Sequence, residues 1–488
     1  MLIFSCFIFS RMGGYRMVNV TIITEGAYPH VIGGLSTWVH RFLNWCDKHF
    51  PKLSFEIYSI INKEKNTLVY EVPSNVKRHH IYVMPPNSDM YKKGEKPDIE
   101  YFCSLIENLL NGYELNLESI GIEKYKLMYF LKSKKLFDLM TAIYEERYST
   151  LPFKDFYWTF MNAVTPILGI LFYARPNGSE IFHSTSVGLA GLVGVIGKVL
   201  YNKNLIVSEH GFYMKELDIR LKNIREEWRE IYRNIYLSLV KTVYKYADIV
   251  TAVTPVHRKY QMKLGLDTNK SIVILNGTDL KEFNPKICNN SSPTVGYVGR
   301  LDPIKGIHRI IRVASKVLSQ IDTKFIIAGP VTDEEYYKHC LILIDELKLK
   351  EKITIIPRYV KSLDIYSEIG VFINLSYSEG LPFALIEAAA CGIPVVCLEN
   401  GGSTLFNDAG FVCKNEEEVV EKLVKLIRNE KLRKELSQKA RRLAERWFNE
   451  DFSFYKYIEL YHDLVTRKEP YITFTHGKQV TALFNKTH

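Results

Sequence analysis

The stretch that decides the fold is TVGYV at residues 294–298, which continues through the turn GRLDPIKG at 299–306 into the segment 307–318. TVGYV is a short apolar run, and the segment after the turn has apolar residues at helical spacing. A strand that enters a helix through a glycine-containing turn is how a Rossmann-type unit begins. The same pattern appears in VNVTIIT at 18–24, followed by helical spacing over 36–45. The sequence therefore predicts that each half of the chain opens with a Rossmann-like unit.

Strand and helix candidates alternate regularly beyond Gly306. This alternation predicts a parallel sheet with helices on both faces, and hence an α/β fold class. The predicted strands of this half are 294–298, 324–328, 353–356, 371–375, 394–398 and 410–413. The predicted helices between them lie near 333–348, 363–368, 382–390 and 416–428. In the first half, further strands are predicted at 54–60, 180–183, 205–208 and 249–253.

The domain boundary is set by NPKICNNSSP at 284–293, which has the composition of a linker. The region around 85–165 is rich in Tyr, Lys and Leu with few turn signals, which predicts a mostly helical insertion. The predicted parts are an extension outside the core at 1–16, an N-terminal Rossmann-like domain at 17–288, a C-terminal Rossmann-like domain at 289–450, and a helix and tail at 451–488. The two domains are expected to face a cleft.

The composition limits the class of protein. With 47% hydrophobic and 24% charged residues, the 488-residue chain has the balance of a globular protein rather than a disordered one. Its net charge of +10 suits an anionic ligand, an acidic membrane surface or nucleic acid. No nucleic-acid-binding motif is present, so nucleic acid is not an expected partner. The long apolar stretches at 162–173 and 187–196 are predicted to be buried core.

The cysteines are scattered and show no spacing typical of a metal site or a redox pair. They are Cys6, Cys46, Cys103, Cys288, Cys340, Cys391, Cys397 and Cys413. This pattern favours a reduced, cytoplasmic setting and predicts no bound metal.

Two glutamates mark a candidate ligand site in EGLPFALIE at 379–387. Glu379 and the Gly-Leu-Pro turn follow a predicted strand, so they are expected at the carboxyl edge of the sheet, where α/β proteins bind ligands. Pro382 is expected to start a helix whose free N–H groups hold a diphosphate or sugar hydroxyls. Glu387 lies in an apolar helix, where an unpaired charge is costly, and it is predicted to accept hydrogen bonds from a ribose diol. A solvated surface role is the alternative for both glutamates.

Two cations form a second candidate site at the first turn of the C-terminal half. Arg300, next to Gly299, and Lys305 follow the first strand of that half. A guanidinium fork and an ammonium can stabilise the negative charge that builds on a departing nucleotide diphosphate without a metal ion.

The N-terminal half contributes Gly33 and Gly34, which begin the first helix and would let backbone approach a ligand across the cleft. His210 and His183 each end a predicted strand at the same edge. A single histidine is more often structural, but this placement favours a functional role for His210.

These strings resemble a known family. SEGLPFALIEAAACGIPVV at 378–396, with VGYVGRLDPIKGIHRII and ILNGTDLKEFNP, is similar to the retaining glycosyltransferases of family 4, which have the two-domain GT-B fold. TEGAYPHVIGGLSTWVHRFL and SEHGFYMKE more narrowly resemble the PelF-type branch, which serves exopolysaccharide assembly and is associated with UDP-glucose.

The resemblance implies a role for each matching residue. Arg300 and Lys305 would bind the donor diphosphate, Glu387 the ribose, and His210 would lie near the sugar and the acceptor. The transferred sugar would be held by Glu379 with the backbone of Gly380, Leu381, Pro382 and Phe383. Gly33 and Gly34 would close over the phosphates.

We therefore expect a metal-independent hexosyltransferase (EC 2.4 type) that retains configuration and takes a UDP-sugar, in the first place UDP-glucose, as substrate with no cofactor. The expected acceptor is a glycan or a lipid-linked glycan. The expected place is the cytoplasm or the inner face of the membrane, beside a polysaccharide-assembly partner. Two alternatives stay open at this point: a nucleotide-sugar hydrolase or epimerase on the same fold, and a non-catalytic sugar-nucleotide-binding subunit of an assembly complex.

Overall fold

The computed structural model describes residues 18–26, 28–61, 68–84, 92–285 and 293–466. The predicted extension at 1–16, most of the linker and the tail beyond 466 lie outside these residues. The strands are β1 Asn19–Glu25, β2 Ser54–Ile61, β3 Val76–Val83, β4 Ile181–Ser184, β5 Asn204–Glu209, β6 Ile249–Ala252, β7 Ser271–Val273, β8 Val295–Val298, β9 Phe325–Ala328, β10 Ile353–Ile356, β11 Val371–Asn374, β12 Val395–Leu398 and β13 Gly410–Cys413.

The helices alternate with these strands over most of the chain. They are α1 Gly34–His49, α2 Ile99–Leu110, α3 Leu127–Leu131, α4 Lys134–Arg147, α5 Phe153–Tyr173, α6 Leu189–Tyr201, α7 Tyr213–Arg220, α8 Glu226–Tyr246, α9 Pro255–Lys263, α10 Ile307–Leu318, α11 Glu334–Glu346, α12 Ser362–Tyr366, α13 Phe383–Ala390, α14 Glu416–Arg428, α15 Glu430–Trp447 and α16 Glu450–Thr466. Short 3₁₀ segments lie at Leu221–Asn223, Thr268–Lys270, Pro303–Lys305 and Gly401–Ala409.

Two parallel sheets form the two domains, as the alternation predicts. The N-terminal sheet has the strand order β3-β2-β1-β4-β5-β6-β7, and the C-terminal sheet has the order β10-β9-β8-β11-β12-β13. In both sheets the chain adds strands on one side of the first strand, β1 or β8, and then crosses to its other side, which is the doubly wound order. Such a reversal opens a crevice at the carboxyl ends of the strands, so each domain offers a binding edge there. The predicted pair of Rossmann-like domains is confirmed.

Sequence analysis missed two edge strands of the N-terminal sheet. β3 reads VKRHHIYV and is largely polar, and β7 has only three residues. Edge strands are short or polar because one side faces solvent, so they lack the apolar run that identifies a central strand. All six strands predicted for the C-terminal half are present, because each of them is a short and largely apolar run. The central strands β11 and β12 are buried along their whole length.

Four helices, α2 to α5, lie between β3 and β4, in the region where the sequence predicts a helical insertion. Of the helices in the described residues, α5 is long and apolar enough to cross a membrane by length and composition, although 61% of its apolar window is buried inside the protein. Phe160, Ile167 and Phe172 of this helix belong to the core of the N-terminal domain. This burial agrees with the core position predicted for 162–173.

The last helix, α16, returns from the C-terminal domain and packs against the N-terminal sheet. Trp45 donates to Asp451 at 2.7 Å, and Phe454 and Tyr457 lie in the same apolar cluster as Phe42. The chain therefore crosses between the domains twice. The two crossings pair at Thr278, whose N–H donates to Phe448 O at 2.8 Å and whose carbonyl accepts from Glu450 N at 3.2 Å.

His183 belongs to this packing and not to the predicted binding edge. Its ring nitrogens lie 2.5 Å from the Tyr461 hydroxyl and 2.6 Å from the Ser208 hydroxyl. Burial lowers the pKa of His183 to about 3, so the ring is neutral at physiological pH. His183 lies near His210, but the expectation that it faces the cleft was wrong, because Tyr461 of α16 binds its ring.

Candidate donor site between the domains

A cavity of about 740 Å³ lies between the two domains, at the carboxyl edges of both sheets. We call it the interdomain cavity. All the site residues named from sequence line it: Gly33, Gly34, His210, Gly299, Arg300, Lys305, Glu379, Gly380, Leu381, Pro382, Phe383 and Glu387. Such a volume suits a small-molecule ligand of the size of a sugar nucleotide.

Lys305 and Glu379 meet on the C-terminal wall of the cavity. The Lys305 ammonium lies 2.7 Å from Glu379 Oε1, and the Ser376 hydroxyl donates to the same oxygen at 2.7 Å. The Glu379 side chain is largely buried, so this charge is paired where an isolated one would be unfavourable. Both contacts use Oε1, so the second carboxylate oxygen, Glu379 Oε2, can accept a hydrogen bond from a ligand.

The backbone brings Lys305 to this position through Gly306. Gly306 adopts φ of 67°, and a Cβ there would lie 2.6 Å from the carbonyl oxygen of Leu375. Only glycine fits this left-handed turn against the end of β11. The turn GRLDPIKG at 299–306 therefore packs against the end of β11, next to the turn that carries Glu379.

Arg300 is the more open cation of the site. Its side chain is 40% exposed, and its Nη2 lies 3.2 Å from Asp302 Oδ2. Asp302 is largely buried, and its Oδ1 accepts from Lys305 N at 3.1 Å. Because the Arg300 end of the pair is open to solvent, most of the guanidinium fork remains available to an anion.

Glu387 is held by groups from both domains. Its Oε1 lies 3.2 Å from Arg41 Nη2, and its Oε2 accepts from the Tyr366 hydroxyl at 3.2 Å. Burial raises the pKa of Glu387, while Arg41, Ser362 and Tyr366 act in the opposite direction. The sequence predicts a ribose contact for this carboxylate, and a ribose diol would share it with Arg41.

Gly33 and Gly34 begin α1 at the N-terminal wall. No side chain caps this helix, and its first residues line the cavity, so its first N–H groups and the positive end of the helix dipole are available there. Gly34 approaches Phe383 of the opposite domain, since a Cβ there would lie 3.7 Å from that ring. This is the arrangement in which helix N-termini hold phosphate groups.

The two domains touch where Gly380 meets His210. A Cβ at Gly380 would lie 2.1 Å from the His210 carbonyl oxygen, so glycine is required at this contact. The Asn276 amide also crosses the interface and donates to Leu381 O at 3.0 Å.

Burial lowers the pKa of His210 to about 4, although the nearby Asn276 favours the charged form. His210 is therefore a neutral imidazole at pH 7.

The loop after β12 supports the Glu379 turn from behind. Asn400 donates to Ser376 O at 2.5 Å, and a Cβ on Gly401 or Gly402 would collide with the carbonyl oxygens of Glu379 or Gly380. The two glycines allow the loop to pack directly on the turn. Its role in the structure is to hold the Glu379–Gly380 backbone in place.

Sequence analysis missed Arg41, Asn276 and Glu216, which also line the cavity. A signal existed for Arg41, because it lies on the helix face of Gly34 and Thr37 at spacings of seven and four residues. Asn276 and Glu216 lie in two of the strings that carry the family resemblance, ILNGTDLKEFNP and SEHGFYMKE, but the resemblance was not used to give either of them a role. Within the described ranges, no group of three or more His, Cys, Asp or Glu side chains could hold a metal ion.

Comparison with known proteins assigns both halves of the chain. Residues 18–269, more than half of the length, match the family described as a domain of unknown function (DUF3492). Residues 280–443 match the family described as glycosyl transferases group 1.

Individual proteins and solved structures are also similar to this chain. An uncharacterized glycosyltransferase of Haemophilus influenzae is 30% identical over 234 residues, covering 45% of this chain and 63% of the relative. The capsular polysaccharide biosynthesis glycosyltransferase CapM of Staphylococcus aureus is 26% identical over 213 residues, 42% of this chain and 53% of the relative. The chain thus spans between half and two thirds of the length of these relatives.

Anabaena Alr3699/HepE, solved in complex with UDP-glucose, superposes with a TM-score of 0.57 at 13% identity over 91% of this chain and 99% of that one. At this identity the likeness concerns the fold, and the fold is GT-B.

Proposed function

This chain belongs to the DUF3492 family and joins that domain to a glycosyl transferases group 1 domain, and on this basis we propose that it is a glycosyltransferase that uses a nucleotide-sugar donor. The observation that carries the proposal is the interdomain cavity, which gathers Arg300, Lys305, Glu379 and Glu387 with the open N-terminus of α1. These groups match the parts of a nucleotide diphosphate sugar: cations and free N–H groups for the diphosphate, and carboxylates for hydroxyls.

The donor we assign is a UDP-hexose, in the first place UDP-glucose. The PelF-type resemblance of the sequence and the UDP-glucose complex of the structurally similar HepE support this choice. In the assignment, Arg300 and Lys305 bind the diphosphate, Glu387 the ribose diol, and Glu379 with the Gly380–Phe383 backbone the hexose.

The reaction we assign is hexosyl transfer with retention of configuration. The bond between the anomeric carbon and the diphosphate oxygen breaks, and the acceptor oxygen bonds to the same face of that carbon. The acceptor proton passes to the departing phosphate oxygen, whose charge Arg300 and Lys305 stabilise. Both cations are already in place, so the charge can be balanced without a metal ion.

The neutral imidazole of His210 suits a position beside the reacting centre. A charged ring there would compete with Arg300 and Lys305 for the diphosphate, whereas a neutral ring can exchange hydrogen bonds with sugar hydroxyls. The low pKa of about 4 keeps it neutral over the working range of pH.

For the wider context, we assign a glycan or a lipid-linked glycan as acceptor and a role in polysaccharide synthesis. The similarity to the capsular polysaccharide glycosyltransferase CapM supports that role. We place the enzyme in the cytoplasm or at the inner face of the membrane, with a polysaccharide-assembly partner, because the acceptors of such pathways are presented there.

The test is to incubate purified protein with UDP-, GDP- and ADP-sugars and to measure nucleotide release with and without saccharide acceptors. Acceptor-stimulated release of UDP, with an α-linked product from an α-linked donor, is the expected result. Rapid release that is independent of acceptor would indicate a hydrolase, interconversion of the sugar would indicate an epimerase, and tight binding without turnover would indicate a non-catalytic subunit.

A further inference from the structure

Glu216 is a carboxylate of the interdomain cavity to which the donor assignment gives no role. It lies on α7, on the N-terminal side of the cavity, and is half-buried. Gly211 makes room for it, because a Cβ there would lie 2.4 Å from Glu216 Oε1. Within the described part of the chain, no hydrogen bond or ion pair engages this carboxylate. Its oxygens are therefore available to a ligand in the cavity.

Glu216 faces the charges of the donor site. Burial raises the pKa of Glu216, Lys305, Arg220 and Arg300 act against this rise, and Glu379 adds to it. The carboxylate thus lies within electrostatic range of the cations that would hold the diphosphate and of the glutamate that would hold the hexose. A ligand hydroxyl that binds Glu216 inside the cavity would therefore lie between the N-terminal domain and the hexose end of the assigned donor.

The rest of the N-terminal wall is mixed in character, with apolar side chains such as Ile32, Leu35 and Val187. Thr185 and Ser186 also line the cavity from this domain. The cations that line the cavity, counted among the described residues, are Arg41, Arg300, Lys305 and Lys361. Arg41 is the one that comes from the N-terminal domain, and it is paired with Glu387. Arg220, on the same helix as Glu216, acts on this carboxylate only at longer range, with no ion pair between them among the described residues. A phosphate or carboxylate on the acceptor would therefore meet the Glu216 carboxylate directly, and like-charge contact of this kind is unfavourable.

We propose that Glu216 binds a hydroxyl group of the acceptor, and that the acceptor end that enters the cavity is an uncharged, polyhydroxylated sugar. The inference rests on the proposed function and adds the acceptor side to it. An ionised carboxylate accepts several hydrogen bonds from adjacent hydroxyls, which is how a sugar ring is oriented. Glu216 orients the attacking hydroxyl and is not consumed, since the proton of that hydroxyl passes to the leaving diphosphate.

The experiment compares wild-type protein with Glu216→Gln, Glu216→Ala and Asp218→Asn. Asp218 is the matched control, because it lies on the same helix but is exposed and pairs with Arg233 outside the cavity. UDP affinity is measured by calorimetry. UDP release from UDP-glucose is measured with water alone, with neutral saccharides (glucose, maltose and p-nitrophenyl glucosides), and with glucose 6-phosphate as the anionic counterpart.

We expect UDP affinity within about twofold of wild type in every variant. We expect acceptor KM to rise and kcat/KM to fall by about tenfold or more in the Glu216 variants, the loss expected for a charge-assisted hydrogen bond to substrate. Release into water should fall as well, since water is the smallest hydroxyl acceptor. Asp218→Asn should match wild type, and neutral saccharides should stimulate release more than glucose 6-phosphate.

Three results would overturn the proposal: wild-type release in both Glu216 variants, loss of UDP affinity in them, or stimulation by glucose 6-phosphate without stimulation by any neutral saccharide. Absence of stimulation by every saccharide also counts against the assigned acceptor class. Failure of the underlying function looks different, because wild-type protein would then neither bind UDP nor release it from UDP-glucose.

Discussion

Arg41 Nη2 lies 3.2 Å from Glu387 Oε1, and this ion pair joins the first helix of the N-terminal domain to the donor-site helix of the C-terminal domain. Arg41 also donates to Thr278 at 3.1 Å, where the two crossings between the domains pair, and its guanidinium lies over the Phe283 ring. One side chain thus links the Glu387 carboxylate to Thr278. We call the place where the two crossings pair, at Thr278, Phe448 and Glu450, the hinge. Arg41 therefore supports both the contact between the domains and the carboxylate to which the ribose diol is assigned.

Replacing Arg41 with Ala should weaken both the fold and donor binding. Loss of one partner leaves Glu387 largely buried without its countercharge, which costs on the order of 3 kcal/mol of unfolding free energy. The KM for the donor should rise about tenfold, because loss of Arg41 raises the pKa of Glu387 further and removes a group that holds this carboxylate in position for the ribose. Denaturant melts and steady-state kinetics measure the two effects.

A double-mutant cycle with Glu387→Gln tests whether the effect is specific to the pair. If the two residues act together, the double variant should lose less stability than the sum of the single variants. Arg41→Lys keeps the charge and should recover part of the stability. Additive losses would mean that Arg41 acts on the hinge and not on Glu387.

Replacing Arg300 with Ala should reduce turnover without affecting the fold. The Arg300 side chain is 40% exposed, and Asp302 keeps the hydrogen bond from Lys305 N when Arg300 is replaced, so thermal stability should stay close to wild type. The value of kcat/KM should fall by about 10²–10³-fold, the loss seen when one preorganised charge-stabilising group is removed. Arg300→Lys should rescue only in part, because an ammonium cannot reproduce the bidentate fork. Near-normal turnover in a folded Arg300→Ala protein would remove Arg300 from the donor site.

The stability of the interdomain hinge should depend on pH through Glu450. Burial raises the pKa of Glu450 to about 7, with Arg41 acting against the rise, and its Oε2 has no hydrogen-bond partner among the described residues. Because the folded-state pKa is above the unfolded value, the stabilisation is complete at low pH and is lost as pH rises through about 7. Glu450→Gln should therefore stabilise the protein at pH 8, by roughly 1–3 kcal/mol, and have little effect at pH 4.5.

Chemical denaturation at the two pH values measures this difference. Glu459→Gln, a change on the exposed side of the same helix, is the control and should leave the free energy of unfolding unchanged at both pH values. Equal effects of Glu450→Gln at pH 8 and pH 4.5 would contradict the assignment.

Transfer activity should survive excess chelator. The described residues offer no cluster of metal ligands, and Arg300 with Lys305 supply positive charge where the diphosphate is assigned. UDP release in EDTA, compared with release after adding Mg²⁺ or Mn²⁺, is the measurement. Abolition by EDTA with recovery on adding either ion would show that the metal-free assignment is wrong.

The sequence by itself determined the two Rossmann-like units, every strand of the C-terminal sheet and several of the residues that line the cavity from that domain, among them Arg300, Lys305 and Glu379. These features are local. Short apolar strands and glycine turns are written in a few consecutive residues, and the carboxyl ends of parallel strands always meet at one edge. Arg300, Lys305 and Glu379 could therefore be brought together without knowing any long-range contact.

Only the tertiary structure decided how the two domains meet. The pairing of Arg41 with Glu387, the close approach of Gly380 to His210, the return of α16 over His183 and the position of Glu216 join residues far apart in the chain. The polar or small residues in these contacts have no periodic pattern of their own. Their partners are selected by the packing of one domain on the other, a property of the whole fold that no single segment of sequence contains.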